Sequence, residues 1–415
     1  MLGRAQLTPV HRALQLLLDN LQDNSDDRTE ELPIHLALDR VLHKAVIAPV
    51  NLPETARSTM DGFAVQAADT FGASESMPCY LDVTGEVKMG QLPDGEIQKG
   101  CCYKIPTGGL LPRGADSVIM LEHTVPVDET MIEAVKSVGT GANVIQAGED
   151  ISKGETALPK GHRIRPQELG LLAGMGISSV TVTKKIQVGI VSTGDEIVDY
   201  SAQPSPGQIR NINSLALAGQ IMRLGAKYND YGIVSDNLDI FMAAVQRAVE
   251  ENDIVLFSGG SSVGVRDLGE QVVEALGPPG LLVHGVTLKP GKPILIGFSA
   301  NTPVFGLPGH PVSAMVCFEC FVKPAILELT GDKASRELPP ATIPAKISRN
   351  LNSAPGRLDV VRVSLEKNND NWVAHPILGK SGSISTLSKA HGFFYIEEDS
   401  QGITANTEIQ VQLFQ

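Results

Sequence analysis

The run Asp253-Ile-Val-Leu-Phe-Ser-Gly-Gly-Ser-Ser-Val-Gly-Val-Arg-Asp267 carries the densest set of chemically useful residues in the chain. Its apolar first half reads as a short strand buried on both faces of a parallel sheet. The loop that follows, Ser258-Gly259-Gly260-Ser261-Ser262-Val263-Gly264, is richer in Gly and Ser than a simple strand–helix turn requires. Glycines let backbone N–H groups crowd around an anion, and open α/β sheets bind ligands beyond the carboxyl ends of their strands. The loop therefore suits a phosphate, and Asp267 places a carboxylate where a metal ion could bridge the two. Lys289-Pro290-Gly291-Lys292 adds two ammonium donors suited to phosphate oxygens, and Gly306-Leu307-Pro308-Gly309-His310-Pro311-Val312-Ser313 follows.

Four further acids, Asp61, Asp150, Glu196 and Asp236, lie in or beside loops, where each is a cap, a solvated charge or a ligand. Glu196 closes Ser192-Thr193-Gly194-Asp195-Glu196 at a strand end. Together with Asp267 it is the candidate Mg²⁺ ligand, because Mg²⁺ takes one or two carboxylates plus phosphate oxygens. No phosphate-loop pattern ending in Gly-Lys-Ser/Thr and no Gly-x-Gly-x-x-Gly fingerprint is present, which excludes a standard ATPase or nicotinamide enzyme. No Gly-x-Ser-x-Gly elbow appears, so a metal and positioned anions are favoured over covalent catalysis. His284 and His310 read as structural before catalytic. Cys317 and Cys320 fall in an apolar helical run, not in a zinc site.

These groups need a scaffold. At 415 residues the chain is too long for one core and predicts two to four domains. A hydrophobic fraction of 42% with 20% charged residues is that of an ordinary globular protein, and the net charge of −13 argues against nucleic-acid binding. No apolar run of about 18 residues predicts a membrane span, and the first residues lack a signal-peptide design. Five cysteines fit a reducing cytoplasm better than a disulfide framework.

Thr8-Pro9 predicts a helix start with Thr8 as N-cap, and a second helical segment is expected over residues 36–42. Residues 51–150 carry short strands punctuated by Gly and Pro, a β-rich domain inserted between residues 1–50 and 151–184 of a discontinuous N-terminal domain. From residue 185 to 332, strands and helices alternate as in a doubly wound parallel α/β sheet. A helix is expected from residue 312 to 329. Residues 333–415 return to strands, with a hairpin at Asn368-Asn369-Asp370-Asn371, and predict a compact β-barrel or sandwich.

Ser58-x-Met60-Asp61-Gly62, Thr107-Gly108, Gly148-Glu149-Asp150, Ser192-Thr-Gly-Asp-Glu196, Ser258-Gly-Gly-x-Ser-Val-Gly-x-x-Asp267, Lys289-Pro-Gly-Lys-Pro293 and Leu307-Pro-Gly-x-Pro-Val-Ser313 occur in this order. Together they resemble the molybdopterin molybdenumtransferase family (MoeA, and the E domain of gephyrin), from about residue 7 to the C-terminus. The resemblance implies a four-domain chain that forms an elongated homodimer: a discontinuous N-terminal domain, an inserted β-domain, a molybdopterin-binding α/β domain and a C-terminal β-barrel. It implies the last step of molybdenum cofactor synthesis. Adenylylated molybdopterin is bound, Mg²⁺-dependent cleavage of its diphosphate releases AMP, and molybdate is captured by the dithiolene.

Carried over position by position, the resemblance makes Asp61, Asp150, Glu196, Asp236, Asp267 and Lys289 catalytic, with Asp61, Thr107 and Asp150 contributed to a cleft built across the dimer. It assigns ligand binding to Thr107, Ser192, Thr193, Gly194, Ser258, Gly259, Gly260, Ser262, Gly264, Lys292, Pro308 and Ser313, and from the barrel to Arg357, Ser381 and Ser383. Gly285, Ser261 and His310 depart from the residues usual in the family. A molybdopterin adenylyltransferase, and molybdoenzymes or cofactor carriers, are the implied partners. The rival readings are an adenylyltransferase of the same α/β type, a non-catalytic gephyrin-like scaffold and a tungstate-inserting paralogue.

Overall fold

The computed structural model describes residues 7–21, 28–259, 263–332, 335, 337–369 and 371–414, and for residues 263–267 the backbone alone. Helix α1 (Val10–Asn20) starts one residue later than expected, with Pro9 as its N-cap. Thr8 is instead drawn into a bridge with Val286, its backbone bonded to Gly285 and Thr287. Ala13 and Leu17 of α1 enter the core of the α/β layer, so this helix packs there and not with residues 29–50 that follow it.

Residues 36–42 do not form a helix. Burial of Ala37, Val41 and Leu42 imitates helical spacing, but only Ile34–Leu36 makes a 3₁₀ turn. Asp39 takes a left-handed φ of 60°, and Val41 and Leu42 then bridge to Arg163 and Val182. Thr29–Pro33 pairs antiparallel with Ser179–Thr183, and helix α2 (Pro166–Gly174) covers the small core that these segments share. Between them a six-stranded sheet runs in the order Ser117–Met120, Gly62–Val65, Cys101–Ile105, Cys79–Glu86, Met131–Ala134, Thr124–Pro126. It is covered on both faces, since Phe63 and Val65 join one core while Ala64 joins the other.

The α/β layer is built from β1 (Gln187–Thr193), α3 (Asn213–Arg223), β2 (Lys227–Val234), α4 (Leu238–Glu251), β3 (Ile254–Gly259) and α5 (Val263–Ala275). It continues with β4 (Pro279–His284), β5 (Leu295–Ser299), β6 (Thr302–Leu307), α6 (Pro311–Cys317) and α7 (Lys323–Thr330). The strand order is β2-β1-β3-β6-β5-β4. The first four strands are parallel, as expected, but β5 runs antiparallel to both of its neighbours, β6 and the edge strand β4. Every residue of β3 is buried, which is why its sequence lacks alternation. Helices cover both faces: α3, α6 and α7 pack on one side, α4 and α5 on the other. Asn237 caps α4 by accepting from the backbone N–H groups of Asp239 and Ile240. The expected helix over 312–329 is interrupted by a π-helical stretch, Phe318–Val322, and ends on Gly331 in the left-handed region at φ 69°.

The C-terminal strands β7 (Thr342–Ile347), β8 (Leu358–Asn368), β9 (Asn371–Pro376), β10 (Gly392–Ile396) and β11 (Glu408–Leu413) close into a barrel in the order β8-β9-β7-β11-β10 and back to β8. The β8–β9 hairpin turns with Asn369 at φ 54°, where Asn is tolerated. Val360 and Phe393 of the barrel enter the same core as α6 and α7, which fixes the barrel against the α/β layer. Among the described residues, no helix is long and apolar enough to cross a membrane.

Candidate active site

The parallel strands bring Thr193, Val234, Gly259 and Leu307 to one carboxyl edge. Beside that edge, between the α/β layer and the barrel, lies a cavity of 660 Å³. Leu288–Lys289 pairs in parallel with Leu358–Asp359, and this short pairing lays the Lys289-Pro-Gly-Lys292 turn along the start of β8. Gly291 is required in that turn: at φ 129°, an added Cβ would lie 2.8 Å from both Cys317 Sγ and Leu288 Cδ2.

The cavity is lined by Lys289, Lys292, Arg357, Arg362 and Lys380, with Asp359 as the carboxylate among them. Asp359 is buried; its Oδ1 accepts from Arg357 Nε at 2.7 Å, and Lys289 Nζ stands 3.4 Å from its Oδ2. Arg362 is only 8% exposed. Its Nη2 donates to the Gly379 carbonyl at 3.4 Å, while its buried Nε and Nη1 have no hydrogen-bond partner among the described residues. Burial lowers its pKa, the mark of a cation held without compensation. Buried polar groups are ordinarily paired, so two orphaned guanidinium donors in a wall of cations point to an anion.

Pro308 and Ser313 are buried at the cavity, and Lys292 and Gly259 also line it. Ser381 lines it from the barrel, where its Oγ lies 2.8 Å from His310 Nδ1 and its carbonyl accepts from Val312 N at 3.1 Å. Ser383 does not reach the lining; its backbone N–H and carbonyl serve the turn that leads to Thr386.

On the β1–β2 side of the same edge, Thr193 Oγ1 donates to Asp236 Oδ1 at 2.8 Å, and Asp236 N donates to Asp195 Oδ1 at 3.2 Å. Ser192 is fully buried and accepts from Asn211 Nδ2 at 2.9 Å, while Ser258 sits opposite it in the β1–β3 register. Glu196 folds back over Gly194, so that a Cβ there would lie 3.0 Å from Glu196 Oε2. Oxygen ligands of this kind fit Mg²⁺ in chemistry. Gly264 lies in the first turn of α5, but Gly260, Ser262 and the side chain of Asp267 lie outside the described residues. Among those described, no three His, Cys, Asp or Glu side chains converge as a metal cluster. Cys317 donates to the Gly291 carbonyl, and loss of hydration pushes Cys320 up to about 12 and Cys317 well above the usual thiol range.

Asp61, Thr107 and Asp150 are exposed on the inserted β-domain. Asp61 Oδ1 accepts from Thr107 N at 2.7 Å, so two of the three are joined, but none of them lines the cavity of its own chain. Sequence reasoning missed Asp359, Arg362 and Lys380. A usable signal was present for two of them: Asp359 and Arg362 are charges within the apolar run Leu-Asp-Val-Val-Arg-Val, where ionised side chains are rarely buried unless they are needed.

A mixed α/β layer with a ligand edge, an inserted β-domain and a closed C-terminal barrel define a multidomain ligand-binding protein of the α/β class. Family comparisons resolve it further. The MoeA N-terminal region (domain I and II) matches residues 8–176, a probable molybdopterin binding domain matches 189–328, and the MoeA C-terminal region (domain IV) matches 344–414. A Methanocaldococcus jannaschii protein described as belonging to molybdopterin biosynthesis is 36% identical over 419 residues, 98% of each chain. The molybdopterin molybdenumtransferase of Haemophilus influenzae is 32% identical over 389 residues, 93% of this chain and 94% of that one. The crystal structure of the molybdopterin biosynthesis MoeA protein of Pyrococcus horikoshii superimposes with a TM-score of 0.86 at 32% identity, covering 99% of this chain and 100% of that one. The chain belongs to the MoeA family of molybdenum cofactor biosynthesis proteins.

Proposed function

We propose that this protein is a molybdopterin molybdenumtransferase: it takes adenylylated molybdopterin and molybdate, inserts the metal and releases AMP. The observation that carries this reading is the cleft in which Arg362, with Nε and Nη1 unpartnered, stands among Lys289, Lys292, Arg357 and Lys380. A chain of net charge −13 needs such a local concentration of donors to hold a small dianion.

In this reading the carboxyl edge holds the pterin phosphates, with Ser258 and Gly259 at the end of β3 and Thr193 and Gly194 at the end of β1. Glu196, Asp236 and Asp267 would hold Mg²⁺, which when bound supplies charge neutralisation on the diphosphate. Thr193 orients the Asp236 carboxylate through its hydroxyl. Water cleaves the phosphoanhydride, giving AMP and the pterin phosphate, and Lys289 offsets charge that develops on the leaving oxygen. The cation cluster holds molybdate beside the dithiolene. Asp61, Thr107 and Asp150 stand away from the cleft of their own chain, which fits a homodimer whose inserted β-domain covers the partner's cleft. All five cysteines are free, in keeping with a reducing cytoplasm, and an adenylyltransferase would supply the substrate to this protein while molybdoenzymes or carriers receive its product.

Equilibrium binding of molybdate to the wild type and to Arg362→Ala tests the site. We expect saturable binding that the variant loses by on the order of tenfold or more. Equal binding by both proteins would remove the cleft from the mechanism.

A further inference from the structure

His310 brings an imidazole to the cleft, a side-chain type able to take up a proton when an anion binds beside it. It is the N-cap residue of α6, on the loop that leaves β6, and it lines the cavity. Ser381 Oγ lies 2.8 Å from its Nδ1, and Val312 N donates to the Ser381 carbonyl at 3.1 Å, so the two contacts clasp the barrel loop onto the α/β layer. Asn213 of α3 steadies the same loop by donating to the Gly309 carbonyl at 3.0 Å.

We propose that His310 is a protonation-linked anion contact that makes oxyanion affinity in this cleft depend on pH. The proposal rests on reading the cleft as an oxyanion site. A serine hydroxyl both donates and accepts. It donates to Nδ1 of the neutral ring, and it accepts from Nδ1–H once the ring is protonated. The clasp therefore holds in both states, and the ring keeps an N–H at Nε2 while its net charge changes. Among the described residues, the charged groups lining the same cavity are Lys289 and Lys292 from the turn, with Arg357, Asp359, Arg362 and Lys380 from the barrel; Ser313 of α6 and Asn213 of α3 are neutral. A bound dianion attracts the imidazolium more strongly than the neutral ring, so binding draws a proton onto the ring, and by reciprocity acidity tightens binding.

The experiment is titration calorimetry of the full-length protein with sodium molybdate, in paired buffers of different ionisation enthalpy, from about pH 6 to about pH 8. The wild type should take up a fraction of a proton on binding, and its affinity should fall about three- to tenfold across that range. His310→Asn keeps a group able to bond Ser381 but has no titration; it should bind with no uptake from this site and a flat profile. His310→Lys, charged throughout, should bind at the tight level at every pH. Equal proton uptake in wild type and His310→Asn would overturn the proposal while leaving the oxyanion site in place. Failure of all three proteins to bind molybdate at any pH would overturn the oxyanion reading, and this proposal with it.

Discussion

Lys289 of the α/β layer places its ammonium 3.4 Å from the buried carboxylate of Asp359 in the barrel, and the two residues are register partners in a short parallel pairing. The same carboxylate accepts from Arg357, so one acid orients two cations from two folding units. Replacing Asp359 by Ala leaves both cations without their partner. Breaking a buried pair costs about 3–5 kcal/mol, and the partial exposure of Lys289 and Arg357 reduces that to about 1–3 kcal/mol here. Chemical denaturation should show this loss together with weaker molybdate binding. Unchanged binding would mean that Asp359 serves the fold alone.

Arg362 should behave in the opposite way. Its orphaned Nε and Nη1 mark a charge buried at a cost to stability. Arg362→Met, similar in length and apolar, should leave stability unchanged or raise it by about 1–2 kcal/mol while abolishing oxyanion binding. Thermal melting with parallel binding checks both halves, and a destabilised variant would show that an unseen partner satisfies the guanidinium. Arg362→Lys should not restore binding, because a single ammonium lacks the planar fork.

Glu168 gives the fold a pH dependence away from the cleft. Hydrogen bonds from the Arg165 side chain first, then from its backbone N–H, with His162 Nε2 standing 3.2 Å from Oε1, hold this carboxyl down at about 2. Because the folded value lies below the ordinary value of about 4.3, its contribution is present above that value and is lost as pH falls toward about 2. Glu168→Gln should therefore cost about 1–3 kcal/mol near neutral pH, with the difference from wild type vanishing in acid. A difference independent of pH would show that shape, and not charge, matters there.

Asp332 is fully buried after α7 and pairs with Arg163 Nε at 2.8 Å, tying the N-terminal segment to the end of the α/β layer. Asp332→Ala should cost about 3–5 kcal/mol, because Arg163 loses its charge partner. Urea unfolding should register this in full, whereas a loss below about 1 kcal/mol would show that water replaces the pair.

Glu196 and Asp236 stand where their loops at strand ends put them, a position fixed by local pattern. Strands and helices from residue 187 to 276 were legible for the same reason: their signals are local in sequence; the strands Pro279–His284, Leu295–Ser299 and Thr302–Leu307 were not read from it. Nor was the cation cleft. Lys289 meets Asp359 across 70 residues, through a two-residue pairing that no periodicity announces. Residues 36–42 misled because Ala37, Val41 and Leu42 are buried at helical spacing while Asp39 turns the chain through a left-handed residue. The packing of α1 was illegible too, since an amphipathic stripe says that a helix is buried but not against what.

The transferase reading is tested most directly by AMP release from adenylylated molybdopterin by the purified full-length protein. We expect release that requires both Mg²⁺ and molybdate and that falls by on the order of a hundredfold or more in Glu196→Ala. Binding of the adenylylated pterin with no AMP released under any combination of the two would contradict it and leave a scaffold or carrier.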